Sequence, residues 1–165
     1  MTKDRQIWQS CHLLAKNAGI AQIYYEGFEY LTSSNAYTTL PFAGGKCYRF
    51  ASAGSLPLTM PSSATYKITY WTRVNSGNWT LVETTFTGTN YSINGVALQD
   101  IDEIRIHPVN ALMISYSYDR FGNLISECDA NNKIITHEYD EFNRRKLTRD
   151  GDRDILEYNT YNIKN

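Results

Sequence analysis

Tyr116-Ser117-Tyr118-Asp119-Arg120-Phe121-Gly122-Asn123-Leu124-Ile125-Ser126-Glu127-Cys128-Asp129 opens a pattern that occurs twice. Tyr118, Asp119, Phe121, Asp129 and Ile134 reappear, each 21 positions on, as Tyr139, Asp140, Phe142, Asp150 and Ile155. A fixed offset of this kind marks a repeat architecture. In the quoted stretch two strand-like runs flank residues 119–123, a turn rich in Asp, Gly and Asn, which supply positive φ and side-chain caps at low cost. The pattern predicts a hairpin. A second turn follows at residues 129–132, then a strand at 134–139, a turn at 140–144, a turn at 149–152 signalled by Asp150-Gly151, and a last strand at 154–158.

The run from Tyr118 to Leu124, with Asp129 and then Tyr139-Asp140-Glu141-Phe142-Asn143-Arg144, resembles the YD repeat of bacterial Rhs proteins. The resemblance covers about the last third of the chain. It implies a hairpin array that, when long, forms a spiralling β-sheet around a C-terminal cargo. The second copy departs from the pattern: Asn143 stands where the first has Gly122, and Arg144-Arg145 where it has Asn123-Leu124. Two copies enclose nothing, so cargo holding does not carry over to this chain. The resemblance also implies a secreted or cell-surface parent, with the remainder of its shell as partner. Residues 1–6 contain no apolar leader, so the export signal is expected upstream of this segment.

The rest of the chain is bounded by composition. With 165 residues, of which 42% are hydrophobic, one domain with an appendage is expected. The 13 tyrosines suit sheets. Net charge is −1 and basic residues are scattered, apart from Arg144-Arg145-Lys146, so no nucleic-acid partner is expected. No run of 18 apolar residues points to a membrane. Cys11, Cys47 and Cys128 have neither metal-binding nor disulfide spacing, and Cys11 beside His12 is not a catalytic geometry by adjacency alone.

Residues 1–20 form an N-terminal arm. Ile7, Trp8, Cys11, Leu13, Leu14, Ala15 and Ala18 can be placed on a loose helical face ending at Gly19, with Trp8 as a packing anchor. An irregular or short helical arm is the preferred reading, and an extended arm feeding the first strand is the alternative. Across residues 21–110, runs at 23–30, 46–51, 56–60, 64–74, 79–86, 91–93 and 102–107 read as strands of a β-sandwich. In residues 66–73, alternation sends Tyr66, Ile68, Tyr70 and Thr72 to the core and Lys67, Thr69, Trp71 and Arg73 to the other face. The same parity groups Asp102, Ile104 and Ile106 against Glu103, Arg105 and His107. Residues 111–165 hold the two repeat hairpins. The fold class is all-β: a jelly-roll-like antiparallel sandwich followed by YD-repeat hairpins.

The order Gly27-Phe28-Glu29, Gly44-Gly45-Lys46, Tyr66 to Trp71 and Ile101 to Ile106 is similar to the galactose-binding-like jelly rolls of carbohydrate-binding modules. That resemblance implies a structural calcium near Glu29 and Asp102. No other cofactor is expected. A sugar face would combine the flat ring of Trp71 with Lys67, Arg73, Arg105 and His107, if their strands are neighbours. The competing reading covers Trp71 with the arm or the hairpins. Trp79 is either a rim residue or a plug at the end of the sandwich. Carboxylate pairs at Glu26 and Glu29, Asp100 and Asp102, and Asp152 and Asp154 lack an acid/base context, and His12, His107 and His137 lie on separate segments. His137 reads as a cross-strand packing residue. No enzyme is expected. The function is a structural or interaction module of a larger Rhs-type protein, with glycan targeting as the alternative and edge-to-edge homodimers as a further partner.

Overall fold

The computed structural model describes residues 11–19 and 22–161, with strands alone as their regular long elements. In chain order they are β1 (Cys11–Lys16), β2 (Tyr24–Glu26), β3 (Ala36–Tyr37), β4 (Cys47–Arg49), β5 (Gly54–Val74), β6 (Thr80–Gly95), β7 (Gln99–Pro108), β8 (Leu112–Tyr118), β9 (Leu124–Cys128), β10 (Ile134–Tyr139), β11 (Arg145–Arg149) and β12 (Ile155–Tyr158). They make two antiparallel sheets. One has the order β3-β4-β7-β5-β6, with β2 also on β7; the other runs β1-β8-β9-β10-β11-β12.

The first sheet is bent into two layers by its longest hairpin. Gly54 pairs with Gly95, and four residues later Gln99 pairs with Val74. The two ends of β5 are therefore within about 15 Å of a common point, the reach of four residues. A straight strand of 21 residues would span roughly 70 Å. The hairpin must double back, and it does so where its register shifts, between Thr59↔Asn90 and Ala64↔Gly88. Gly88 takes φ 116 there, a backbone region open in practice to glycine. Leu58, Met60 and Ile93 of one layer then meet Tyr66, Ile68, Tyr70, Ile104 and Ile106 of the other in the main core.

Alternation along β5 is as expected for Tyr66, Ile68 and Tyr70. In β7 it breaks. Thr69 pairs with Arg105 and Trp71 with Asp102, so one residue of β5 opposes two of β7. This is a β-bulge, and Glu103 occupies it with φ 52. The parity reading of Asp102 is corrected accordingly: Ile101 joins Ile104 and Ile106 in the core, while Asp102 turns to the opposite face with Glu103. The run at 23–30 is also shorter than expected, because Phe28, two residues past the end of β2, adopts φ 59.

The second sheet follows the repeat. Strands β8 to β12 are neighbours in chain order, each joined to the next by a short turn. The arm is corrected most. Residues 11–16 are neither helical nor irregular; they form β1 and pair with β8 from Cys11↔Ser117 to Lys16↔Leu112. Trp8 lies outside the described residues. Since β1 and β8 are antiparallel neighbours, the bent sandwich sheet is an insertion in the loop of one very wide hairpin.

Candidate functional site

Four turns link β8 to β12, and they share one geometry. In each, an Asp carboxylate oxygen accepts the N–H groups two and four residues on: Asp119 from Phe121 and Asn123, Asp129 from Asn131 and Lys133, Asp140 from Phe142 and Arg144, Asp150 from Asp152 and Asp154. The side chain mimics a backbone turn and satisfies donors that the strands leave open. The fourth position of each turn is left-handed and is filled by Gly122, Asn132, Asn143 and Arg153, with φ between 59 and 84. Gly and Asn tolerate that region, whereas Arg does so at a cost of order 1 kcal/mol.

Alternate turns lie at opposite ends of the sheet, because antiparallel strands reverse direction at each one. Turns 119–123 and 140–144 form the free end, where Phe121 and Phe142 are 63% and 60% exposed. Their neighbours touch: Asn123 Nδ2 donates to Asn143 Oδ1 at 3.3 Å. Turns 129–133 and 150–154 form the docked end. Asn132 receives a hydrogen bond from Arg105 Nη1 at 2.7 Å and donates to Glu83 at 2.9 Å. Arg153 Nη1 donates to the carbonyls of Pro41 and Phe42, both at 3.0 Å.

Between these contacts runs a buried polar seam. Arg105 is 3% exposed and donates to Cys128 Sγ, Asn132 Oδ1 and the carbonyls of Met113 and Asp129. Glu103 accepts from Tyr25 Oη at 2.7 Å and from Ser126 Oγ at 3.1 Å, tying β2, β7 and β9 together. Its Oε2 has no hydrogen-bond partner among the described residues. The bulge that displaces Glu103 is therefore what carries a carboxylate from the sandwich to the repeat sheet.

At the edge of the seam the loop at residues 42–46 wraps two more carboxylates. Asp102 Oδ2 accepts from the N–H groups of Phe42 and Ala43 at 3.0 and 3.2 Å, and Glu29 accepts from those of Gly45 and Lys46. Gly44, at φ 60, leaves the space that Glu29 fills. Burial is the first cause of a raised carboxyl pKa at Glu26, Glu29, Asp102 and Glu103, and for Asp102 the charge of Glu103 adds to it. Glu29 is pushed up to about 7, against the pull of the two N–H donors.

Where turn 150–154 meets the sandwich, a cleft of about 540 Å³ opens. Leu40, Arg73 and Trp79 line it from one side and Arg149, Asp152 and Arg153 from the other. Arg73 is held by Asp100 and lies 4.5 Å from the Trp79 ring; Arg149 is paired with Glu138. Arg153 forms no ion pair among the described residues.

The repeated turn geometry has a counterpart in known proteins. Residues 118–155 match the RHS Repeat family model. No curated protein matches the chain. The Rhs repeat thus spans turns 119–123 to 150–154 and leaves the sandwich sheet and β1 outside the match.

The five residues of the expected sugar face do not form one open surface. Trp71 is stacked on Phe42 at 4.1 Å, with Gly151 of the Rhs repeat beside its ring. Arg73, Arg105 and His107 are at most 8% exposed. Lys67 is half-buried, as is Trp71, and it pairs with Glu83 at 2.9 Å. The physical reason is that the face of β5 and β7 opposite the core is the surface on which the Rhs repeat docks. Glu29 and Asp102 do converge on one loop, but their oxygens face N–H donors. That donor set does not fit calcium, which needs six to eight oxygens, and no group of three His, Cys, Asp or Glu among the described residues is placed to hold a metal.

Among the cysteines, Cys47 and Cys128 are buried and free. Burial raises both thiols, Cys128 to about 12, which disfavours the thiolate. Cys11 and His12 fall on β1. His137 is buried across from Thr148, 3.2 Å from its hydroxyl, and burial lowers its pKa. Trp79 packs edge-on against Phe42 at the end of the sandwich. Sequence reasoning missed the seam. Its one signal was the polar group Glu103, Arg105, His107 on a strand whose other face is Ile-rich, which would be a solvated face unless something covers it.

Proposed function

We propose that the chain is a structural module of an Rhs-type shell, built so that the edge strand β12 receives the next strand of a growing hairpin array. The observation that carries this is the state of β12. Among the described residues it pairs with β11 on one side only, and Ile155, Leu156 and Tyr158 are each more than half exposed. An exposed apolar edge strand is a template for pairing. Strand order equal to chain order, from β8 to β12, supports growth by one hairpin at a time. The next strand comes from a neighbouring repeat of the parent protein, or from a second copy when the chain is isolated. The repeat itself is structural, and a cell-surface or secreted location goes with this reading.

The test is sedimentation of the purified chain beside Leu156→Lys, which places a charge on the open edge. Reversible, concentration-dependent dimers that disappear in the variant are the expected result. A wild-type chain that stays monomeric at hundreds of micromolar, identical to the variant, would remove the support for an open edge. Less supports the glycan reading built on Trp71, since Phe42 already covers that ring.

A further inference from the structure

We propose that the cleft between Trp79 and turn 150–154 is a binding site for an acidic saccharide, one that carries a single carboxylate on a hydroxylated ring. This goes beyond the structural role, and its position differs from the Trp71 face. Three observations lead to it.

The first is the misfit residue of the turns. Three of the four left-handed positions hold Gly or Asn, and the fourth holds Arg153 at φ 70. A side chain kept in an unfavourable backbone region points to a use for its guanidinium. Two carbonyls take its Nη1. Its Nε and Nη2 make no hydrogen bond among the described residues, although burial and the neighbouring Arg149 both work against its charge. A carboxylate is the partner such a fork fits.

The second is the charge of the lining. Arg73 and Arg149 are already ion-paired, with Asp100, which Arg49 shares, and with Glu138. That leaves one unpaired cation, Arg153, and one carboxylate without an ion pair, Asp152. A polyanion such as phosphate would be repelled by Asp152. A ligand with one carboxylate and several hydroxyls satisfies both groups, because an ionised carboxylate accepts hydroxyl protons and donates none.

The third is shape and polarity. A volume of about 540 Å³ lies within the ~300–1,000 Å³ of small-ligand sites. Trp79 and Leu40 give an apolar wall, and Ser76 and Asn78 give groups that bind hydroxyls. The Nε1–H of Trp79 has no acceptor among the described residues, so no hydrogen bond of its own pins the ring there.

The probe is the monosaccharide galacturonate, titrated calorimetrically into the full chain, with neutral galactose, inorganic phosphate and a glutamate-rich peptide as comparisons. Saturable binding of the acidic sugar, at least tenfold tighter than any of the three, is expected. Arg153→Gly restores the residue used in turn 119–123 and so should fold; it should weaken that binding about tenfold or more, the scale of a lost charged hydrogen bond. Asp152→Asn should narrow the gap between sugar and phosphate, since it removes the repulsive element. The proposal is overturned by equal binding of acidic and neutral sugars, by tighter binding of phosphate or the peptide, by no binding at millimolar sugar, or by Arg153→Gly binding like the wild type. A thermal melt of each variant separates loss of the site from loss of the fold.

Discussion

The two ends of the repeat sheet have the same turn backbone and opposite surroundings. Turns 119–123 and 140–144 hold Phe121 and Phe142 out to solvent; turns 129–133 and 150–154 hand Asn132 and Arg153 to the sandwich. The Asp at the start of each turn does the same work in all four. What differs is the residue two and three positions later, so the repeat fixes the turn, and the variable positions decide what it touches. A repeat unit can thus be kept for folding while its contacts are specialised one end at a time.

The sharpest way to break the comparison is to remove Arg105. Arg105→Met keeps the volume but leaves Asn132 and the carbonyls of Met113 and Asp129 without their donor. A loss of about 3–5 kcal/mol in chemical denaturation is expected, as for a buried polar network missing one member. At the free end, Arg120→Met should change stability by less than about 0.5 kcal/mol.

Acidity offers a second contrast. The folded-state pKa values of Glu26, Glu29, Asp102 and Glu103 lie above their unfolded values, so the folded chain binds extra protons in between. Stability should therefore be greatest below the usual carboxylate range and fall as pH rises, for Glu29 through the window from 4.5 to about 7. At most roughly 3 kcal/mol is expected from that group, and melting temperature against pH should flatten in Glu29→Gln. Asp140 at the free end has the opposite sign: Arg144 and the N–H donors hold its pKa down, so its contribution is lost on acidification below 3.8.

A smaller effect tests the turns directly. Asp119→Ala and Asp129→Ala each remove two side-chain caps and should cost about 1 kcal/mol in unfolding free energy. Equal losses would mean that docking adds nothing to the turn, whereas a larger loss at Asp129 would locate extra stability at the docked end. Smallest of all, Phe142→Ser should move stability by less than about 0.5 kcal/mol, since that ring meets solvent.

The contrast also explains what could be read from the sequence. The turns were legible because each is settled by five consecutive residues, from Asp119, Asp129, Asp140 or Asp150 onward. The core face of Tyr66, Ile68 and Tyr70 was legible because alternation is local to one strand. The bulge at Asp102 and Glu103 was not, because an extra residue in β7 is visible only against the register of β5. Nor was the seam: Arg105 and Trp71 read as a polar, aromatic surface until the sheet formed by residues 112–158 is laid on them. Arg153, between the expected turn at 149–152 and the expected strand at 154–158, carried no signal until three other turns showed what that position prefers.

The pairing of β1 with β8 sets a timetable for the chain as it is made. Lys16 must wait for Leu112, and Cys11 for Ser117, before any of their backbone groups can meet. At ~5–20 residues per second, β1 stays an unpartnered strand for roughly 5–20 s while the whole sandwich sheet emerges and folds behind it. Its partner strand exists only once the insertion is complete, so closure of that wide loop is expected to be a late event, and β1 finds its place after strands made long after it.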